Sequence, residues 1–146
     1  MNAMVDPRAM EQPLAICLFS GTDDRLDAAA ALAAGAAAIG RPVHVFLQYW
    51  ALDAFRSDRI ACHHGLAPEA GRQGANAVRR LARLGQAGWA ATLRQAKSVG
   101  QVEIKACTLS MGLLGVEPAD LDPLVDGVES VTAFWSIASD GQVLFI

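Results

Sequence analysis

Cysteines and charged side chains are both scarce in this sequence. The chain has three cysteines among its 146 residues, a number that indicates free thiols rather than a disulfide framework. Charged residues make up 18% of the chain, and the formal net charge is -3. A protein whose main partner is nucleic acid needs a strong basic surplus, so we expect no nucleic-acid partner.

The sequence also lacks an apolar stretch long enough to cross a bilayer. Its longest low-polarity run, residues 28–39, is rich in alanine and too short. Residues 1–13 carry Asp6, Arg8 and Glu11 and contain no apolar core of an export signal. We therefore expect no membrane span, a flexible arm over residues 1–13 and a cytoplasmic location.

Apolar residues are abundant, at 53% of the chain, which is ample for one core over residues 14–146. Apolar runs predict strands at residues 14–19, 42–47, 102–106 and 142–146. Helical patterns lie between them, at residues 23–39, 50–56, 75–84, 86–99, 109–114 and 131–138. Pro118 and Pro123 each suit the first turn of a further short helix. Residues 57–85 contain four glycines and break this rhythm, so we interpret them as an insertion.

The alternation of strands and helices predicts a mainly parallel sheet with helices on both faces. Functional sites in such sheets lie beyond the carboxyl ends of the strands. Two loops satisfy that rule. Ser20, Gly21 and Thr22 follow the first strand and are expected to line the rim of a pocket, while Cys107 and Thr108 follow the third.

Cys107 stands where a thiol could be chemically active. The backbone N–H groups of Leu109, Ser110 and Met111 would point toward its sulfur and stabilise a thiolate, which is the nucleophilic form. Lys105, two residues earlier, could add a positive charge on the same face of the strand. Apolar residues of the next helix would shelter the sulfur from water, namely Met111, Leu113 and Leu114. The alternative is that Cys107 is a small buried hydrophobe.

The segment from Val102 to Met111, followed by Gly115 and Val116, resembles the cysteine segment of the DsrE/DsrF/DsrH family. The opening strand with its Ser20-Gly21-Thr22 turn, the alanine-rich helix and the closing residues 140–145 extend the resemblance. The family implies a three-layer α/β sandwich with a mainly parallel five-stranded sheet. It also implies homo-oligomers, often trimers or hexamers.

The resemblance implies a cytoplasmic sulfur relay that needs no cofactor. Sulfur would be held as a persulfide on Cys107 and passed to or from TusA-like or rhodanese-like carrier proteins. This hypothesis requires the sulfur of Cys107 to be reachable, so a sulfur sealed in the interior would contradict it. The rival hypothesis is a non-catalytic binding or assembly module with a buried Cys107.

Cys62, His63 and His64 form the next candidate group. Cys62 could resolve a persulfide on Cys107 or accept its sulfur, with His63 or His64 as base or charge partner, if the insertion folds over the site. A metal or redox sensor built on these three residues is another possibility. We expect no metal, because adjacent ligands chelate one ion poorly. The remaining reading is an exposed polar loop.

Two further groups have both a functional and a structural interpretation. The basic stretch could attract anionic sulfur species or dock an acidic carrier, or it could be a solvated helix face; it comprises Arg72, Arg79, Arg80 and Arg83. The three tryptophans are interpreted as packing residues, one of which could cover a subunit interface; they are Trp50, Trp89 and Trp135.

Overall fold

The computed structural model describes residues 6–146, which contain seven α-helices and five strands. The strands are β1 (Leu14–Leu18), β2 (Val43–Leu47), β3 (Val102–Cys107), β4 (Gly127–Glu129) and β5 (Gln142–Phe145). The helices are α1 (Pro7–Glu11), α2 (Asp23–Ala38), α3 (Tyr49–Ala54), α4 (Gly74–Arg83), α5 (Trp89–Val99), α6 (Thr108–Leu114) and α7 (Val131–Ala138). Short 3₁₀ segments occupy Pro68–Gln73 and Pro118–Asp120.

All five strands form one parallel sheet in the order β4-β3-β2-β1-β5. The chain moves from β1 to β4 in one direction and then returns past β1 to place β5 at the other edge. Because crossovers between parallel strands are right-handed, the helices that pack on the sheet between β1 and β4 lie on one face and α7 lies on the other. The three-layer α/β sandwich predicted from the sequence is confirmed.

The first face of the sheet carries the larger core. Alternate side chains of β1, β2 and β3 point into it, and they pack against α2, α3, α5 and Met111 of α6. The buried face of α2 consists of Leu26 and five alanines, so this helix can approach the sheet closely. The strands are apolar on both faces because both faces are covered, as is usual for parallel sheets.

The second face is covered by α7 among the described helices, and its core is small. Phe134 and Ala138 of α7 pack on a cluster of strand residues, namely Ala15, Cys17, Phe46 and Cys107. The Phe134 and Phe46 rings stack with their centroids 4.8 Å apart. Large apolar side chains stay exposed around this cluster, the largest being Trp135 at 57% and Phe145 at 68%.

Most predicted elements agree with the structure to within a few residues, and three features differ from the predictions. Strand β4 was not assigned from the sequence, because three residues carry too little pattern. Helix α1 lies inside the predicted flexible arm, where Asp6 caps the Arg8 N–H at 2.9 Å; residues 1–5 lie outside the described residues. Pro123, expected to begin a helix, lies in a turn.

No helix in the described part of the chain is long and apolar enough to span a membrane.

A buried hydrogen bond between His44 and Glu129 crosses the second face, and no sequence pattern predicts it, because His44 occupies an ordinary strand position. His44 Nε2 lies 2.5 Å from Glu129 Oε1, and both side chains are almost fully buried. His44 Nδ1 lies 3.6 Å from Oε2 of Glu103, which is about half exposed. Because buried polar groups need partners, the pair ties the edge strand β4 to the central strand β2.

Removing one member of this pair should cost far more stability than removing the exposed neighbour. We expect Glu129→Ala to lower the free energy of unfolding by about 1–3 kcal/mol, because it leaves a buried imidazole without its main hydrogen-bond partner. Glu103→Ala is the matched control and should cost less than about 1 kcal/mol. Urea unfolding followed by circular dichroism measures both, and equal losses would contradict the assigned role of Glu129.

Candidate functional site

An open pocket of about 460 Å³ lies at the carboxyl ends of β1 and β2. It is built by three stretches of chain: the loop after β1, the start of α3, and the segment between α3 and α4. Ser20, Gly21, Thr22 and His63, all predicted as binding residues, line it together. The pocket therefore lies where parallel α/β sheets usually bind ligands.

Two carboxylates at the start of α2 hold in place the segment that forms one side of the pocket. Asp23 Oδ2 accepts the His64 backbone N–H at 3.0 Å and lies 2.7 Å from His63 Nδ1. Asp23 Oδ1 accepts the Trp89 indole N–H at 3.2 Å. Acidic residues are favoured in the first turn of a helix, and this aspartate also fastens residues 63–64 and α5 to α2.

Asp24 fastens the same segment at a second point. Its carboxylate accepts the Ala67 backbone N–H at 3.0 Å. Partial burial opposes ionisation of this carboxyl, but hydrogen bonds from the Thr22 hydroxyl and the Ala67 N–H outweigh it and lower its pKa. The carboxylate therefore stays charged, and the segment stays anchored, at any pH near neutrality.

The rim of the pocket is made by tightly packed backbone and aromatic rings. Tyr49 has a φ of 41°, in the left-handed region that a bulky residue adopts only under constraint. Its ring packs against Phe19, with centroids 5.1 Å apart. A Cβ on Gly21 would lie 2.4 Å from the Trp50 carbonyl oxygen, so only glycine fits there.

Several lining residues were not predicted from the sequence. Trp50 was interpreted as a packing residue, yet its side chain is 56% exposed and lines the pocket. Two arginines also line it: Arg25 pairs with Glu69 at 2.9 Å, and Arg59 pairs with Asp53 at 2.8 Å. Trp50 closely follows the end of β2, and this location is the available signal. Arg25 lies within α2 and Arg59 follows α3, so no local signal places them at the pocket.

Cys62 adjoins the pocket through its neighbour His63, and its side chain is exposed. Its thiol lies 3.7 Å from the Asp58 carbonyl oxygen. The surrounding segment belongs to the first face of the sheet, because Ile60 packs on that core and the His64 ring lies 6.0 Å from Trp89. Within the described residues, no three His, Cys, Asp or Glu side chains form a metal-binding group.

Cys107 lies on the other face of the sheet and is fully buried. It precedes α6 at the N-cap position, as predicted, but its side chain makes no capping hydrogen bond. The sulfur packs in the apolar cluster beneath α7 and accepts no capping hydrogen bond from the first turn of α6. The expectation of a reachable sulfur is therefore wrong for this arrangement of the chain, and the structure does not bring Cys62 to Cys107.

The other residues predicted around Cys107 point in different directions. Lys105 shares its face but pairs with Glu103 at 2.9 Å, and this hydrogen bond raises the Lys105 pKa. Thr108 and Leu109 are exposed, and Met111 is buried in the core of the opposite face. The predicted apolar wall does not form, since Leu113 is exposed and Leu114 packs on that opposite core.

Two polar groups lie near Cys107: the thiol of Cys17, which belongs to the same cluster, and the hydroxyl of Ser110, which follows shortly after it in the chain. The Cys17 thiol, in the same cluster, donates to Gln48 Oε1 at 3.1 Å. Burial raises the pKa of Cys17 to about 11, and the neighbouring Cys107 adds to this increase. Ser110 is fully buried, and its hydroxyl has no hydrogen-bond partner.

Fold and site together define an α/β protein with a pocket at the carboxyl edge of its sheet, one exposed thiol beside that pocket and two buried thiols across the sheet. A model of the DsrE/DsrF/DrsH-like family matches residues 10–90, more than half of the chain. The chain belongs to this family. The matched range includes residues 57–85, and it ends before β3 and Cys107.

The fold is similar to that of a solved structure described as a protein of unknown function. This is MTH1491 from Methanobacterium thermoautotrophicum, with a TM-score of 0.63 and 11% sequence identity. The alignment covers 93% of this chain and 100% of that one. A likeness at this identity shows the shared fold alone. A comparison with curated proteins gives no match.

The contact between Gly21 and Trp50 can be tested with two glycine substitutions. Gly21→Ala should destabilise the protein by about 1–3 kcal/mol, because the added carbon collides with the Trp50 carbonyl. Gly35→Ala is the control, since an added Cβ there meets nothing within 4 Å. Gly35 lies on the exposed side of α2, so Gly35→Ala should stabilise the protein by about 1 kcal/mol. Thermal unfolding measures both, and a neutral Gly21→Ala would contradict the tight rim.

The burial of Cys17 predicts a loss of stability in alkaline solution. Below its ordinary pKa of 9.0 the thiol is protonated in both the folded and the unfolded chain. Between pH 9 and 11 the unfolded chain loses this proton while the folded chain keeps it, so the free energy of unfolding falls, by up to about 3 kcal/mol. Urea unfolding at pH 8 and 10.5 should show a smaller fall in Cys17→Ala than in Cys62→Ala.

Proposed function

We propose that this chain is a sulfur carrier and that Cys62 is the thiol that exchanges sulfur with other proteins. The observation that carries the proposal is the exposure of the three thiols: Cys62 is exposed, whereas Cys17 and Cys107 are buried. Sulfur transfer proceeds by attack of a thiolate on a sulfur atom, and this attack needs an open approach to the sulfur. Membership of the DsrE/DsrF/DrsH-like family supports a sulfur-relay role.

The transfer needs neither a cofactor nor an external oxidant. The Cys62 thiolate attacks the outer sulfur of a donor persulfide, the donor S–S bond breaks, and the donor leaves as a thiolate. Cys62 then holds the sulfur as a persulfide. The thiolate of an acceptor protein attacks the outer sulfur, takes it over and releases the Cys62 thiolate. TusA-like or rhodanese-like proteins are the proposed donor and acceptor.

The surroundings of Cys62 support this role. His63, next in the chain, stands at the pocket with its Nδ1 beside Asp23, which orients the ring and leaves it available as a base or charge partner. Free thiols at all three cysteines fit a reducing compartment, and we propose the cytoplasm.

A second candidate keeps Cys107 as the carrier, with α7 displaced during exchange. The observation in its favour is Ser110, whose buried hydroxyl lacks a partner. Ser110 is the third residue of α6, and a side chain at that position turns back toward the N-cap residue, here Cys107. An added sulfur on Cys107 would offer this hydroxyl an acceptor and relieve an unsatisfied buried group.

Self-association is part of the proposal. Apolar side chains stay exposed on and around α7 and β5, including Trp135, Ile137 and Phe145. Exposed apolar clusters of this kind usually mark contacts between chains. A homo-oligomer, a trimer or hexamer as the family implies, would bury these side chains at a contact formed by the second face of the sheet.

Intact-mass spectrometry after exposure to glutathione persulfide tests the assignment. The wild-type protein should gain one sulfur, and Cys62→Ser should lose this gain because it removes the exposed nucleophile. Cys107→Ser and Cys17→Ser are the matched controls and should keep the gain. Treatment with dithiothreitol should restore the starting mass in each case.

The other outcomes separate the candidates. A gain that disappears in Cys107→Ser but survives in Cys62→Ser would assign the persulfide to the buried thiol and require α7 to open. The absence of any gain in the wild-type protein, with glutathione persulfide or with thiosulfate, would contradict sulfur carriage and favour a non-catalytic binding or assembly module.

A further inference from the structure

Helix α4 projects from the protein with almost its whole surface uncovered. Of its ten residues, Gly74 is buried and Val78 is half-buried, while the others are exposed. Its buried glycine sits against Leu66 and Ala70 of the preceding segment. The helix is therefore attached at its first turn and free along the rest of its length.

Positive charge is concentrated around this helix. Residues 70–102 contain no Asp or Glu and carry six basic side chains, whereas the rest of the chain has six basic and fifteen acidic ones. Two of the six are neutralised, since Arg94 pairs with Asp122 and Lys97 pairs with Asp126. The other four make no ion pair with any described residue; they are Arg72, Arg79, Arg80 and Arg83.

Three of these arginines share one stripe of α4 with Asn76, and we call this stripe the arginine face. Its residues Asn76, Arg79, Arg80 and Arg83 are spaced i, i+3, i+4 and i+7 and border a shallow groove of about 450 Å³. Like charges at these spacings repel and weaken the helix. Arg79 donates to the Asn76 side chain at 2.5 Å, but no carboxylate offsets the charge. A local conflict of this kind is typical of a functional surface.

The flank of the arginine face is apolar. Leu81 is 45% exposed and Leu84, just after the helix, is 66% exposed. An exposed amphipathic helix with cations on one side and leucines on the other is suited to docking in a groove of another protein. The arginines would contact acidic residues on the edge of that groove, and the leucines would enter it.

We propose that the arginine face of α4, with Leu81 and Leu84, is the docking site for an acidic protein partner. A protein fits better than nucleic acid, because α4 carries no aromatic side chain for base stacking. The acidic remainder of the chain would also repel a long polyanion or an anionic bilayer, whereas a compact acidic surface meets α4 alone. The proposal is independent of persulfide chemistry at any cysteine.

A fluorescence-anisotropy titration with the full chain tests this docking site. The probe is a fluorescein-labelled amphipathic peptide of Glu and Leu, about 15 residues long, or four turns of helix. The test variant is Arg79→Gln/Arg80→Gln/Arg83→Gln, which should bind the peptide about tenfold more weakly. The control is Gln12→Glu/Gln101→Glu/Ser139→Glu, which changes the net charge equally at exposed positions away from α4 and should bind as the wild type does.

A second variant separates docking from general attraction between charges. Leu81→Ser/Leu84→Ser keeps every charge and should still weaken binding about threefold or more, because it removes the apolar contacts. Circular dichroism establishes that both variants remain folded. The proposal would be overturned by equal loss in test and control variants, by unchanged binding after the leucine substitutions, or by no peptide binding at all.

Competing occupants are tested with the same two sets of variants. Tighter binding to a single-stranded oligonucleotide, or to vesicles of phosphatidylserine and phosphatidylcholine, would overturn the choice of a protein if the arginine substitutions abolish it. Self-association of the wild type that disappears in the arginine variant would instead make this face a contact between copies of the chain, which also contradicts the proposal.

Discussion

Right-handed crossovers between parallel strands decide which face of this sheet each helix covers. Three successive connections run from β1 toward β4 and stack their helices on one face. The single return connection places α7 alone on the other. The two faces therefore differ in kind: the first is closed by a large core, and the second is a narrow apolar patch surrounded by exposed rings. The burial of Cys107 and Cys17 follows from this asymmetry, because both thiols point toward the second face and lie directly beneath α7.

On the opposite side, two adjacent aspartates organise the carboxyl edge. Acidic residues are favoured in the first turn of a helix, where they face the positive end of its dipole. Here the same carboxylates also accept hydrogen bonds from residues 64 and 67 and from the Trp89 indole. The two carboxylates thus favour the start of α2, and their hydrogen bonds hold a glycine-containing segment over the ends of β1 and β2. The pocket, with its two arginine–carboxylate pairs, exists because this segment is held in place.

The sequence predicts the fold far better than it predicts the site. Continuous apolar runs identify β1, β2 and β3, because strands buried on both faces need apolar residues at every position. For the same reason, the sequence does not show to which face of the sheet Cys107 points. A strand that is apolar on both sides gives no sign of which helix covers which side chain. The pairing of His44 with Glu129, which are 85 residues apart, depends on tertiary packing that no local pattern encodes. Ser20, Gly21 and Thr22 are recognisable from their position after a strand, and His63 from its place beside Cys62 and His64. Arg59, in contrast, depends on how the segment after α3 folds back.

The exposure of Cys62 and the burial of the other two thiols on the far side of the sheet limit how the protein can respond to oxidants. A disulfide requires its two Cα atoms within about 7 Å, a distance that an exposed residue on one face and buried residues on the other do not satisfy. A disulfide made by Cys62 therefore joins this chain to another molecule, either a second chain or a small thiol such as glutathione. Oxidation of the folded protein is thus a cross-linking or capping event at its surface and leaves the interior unchanged.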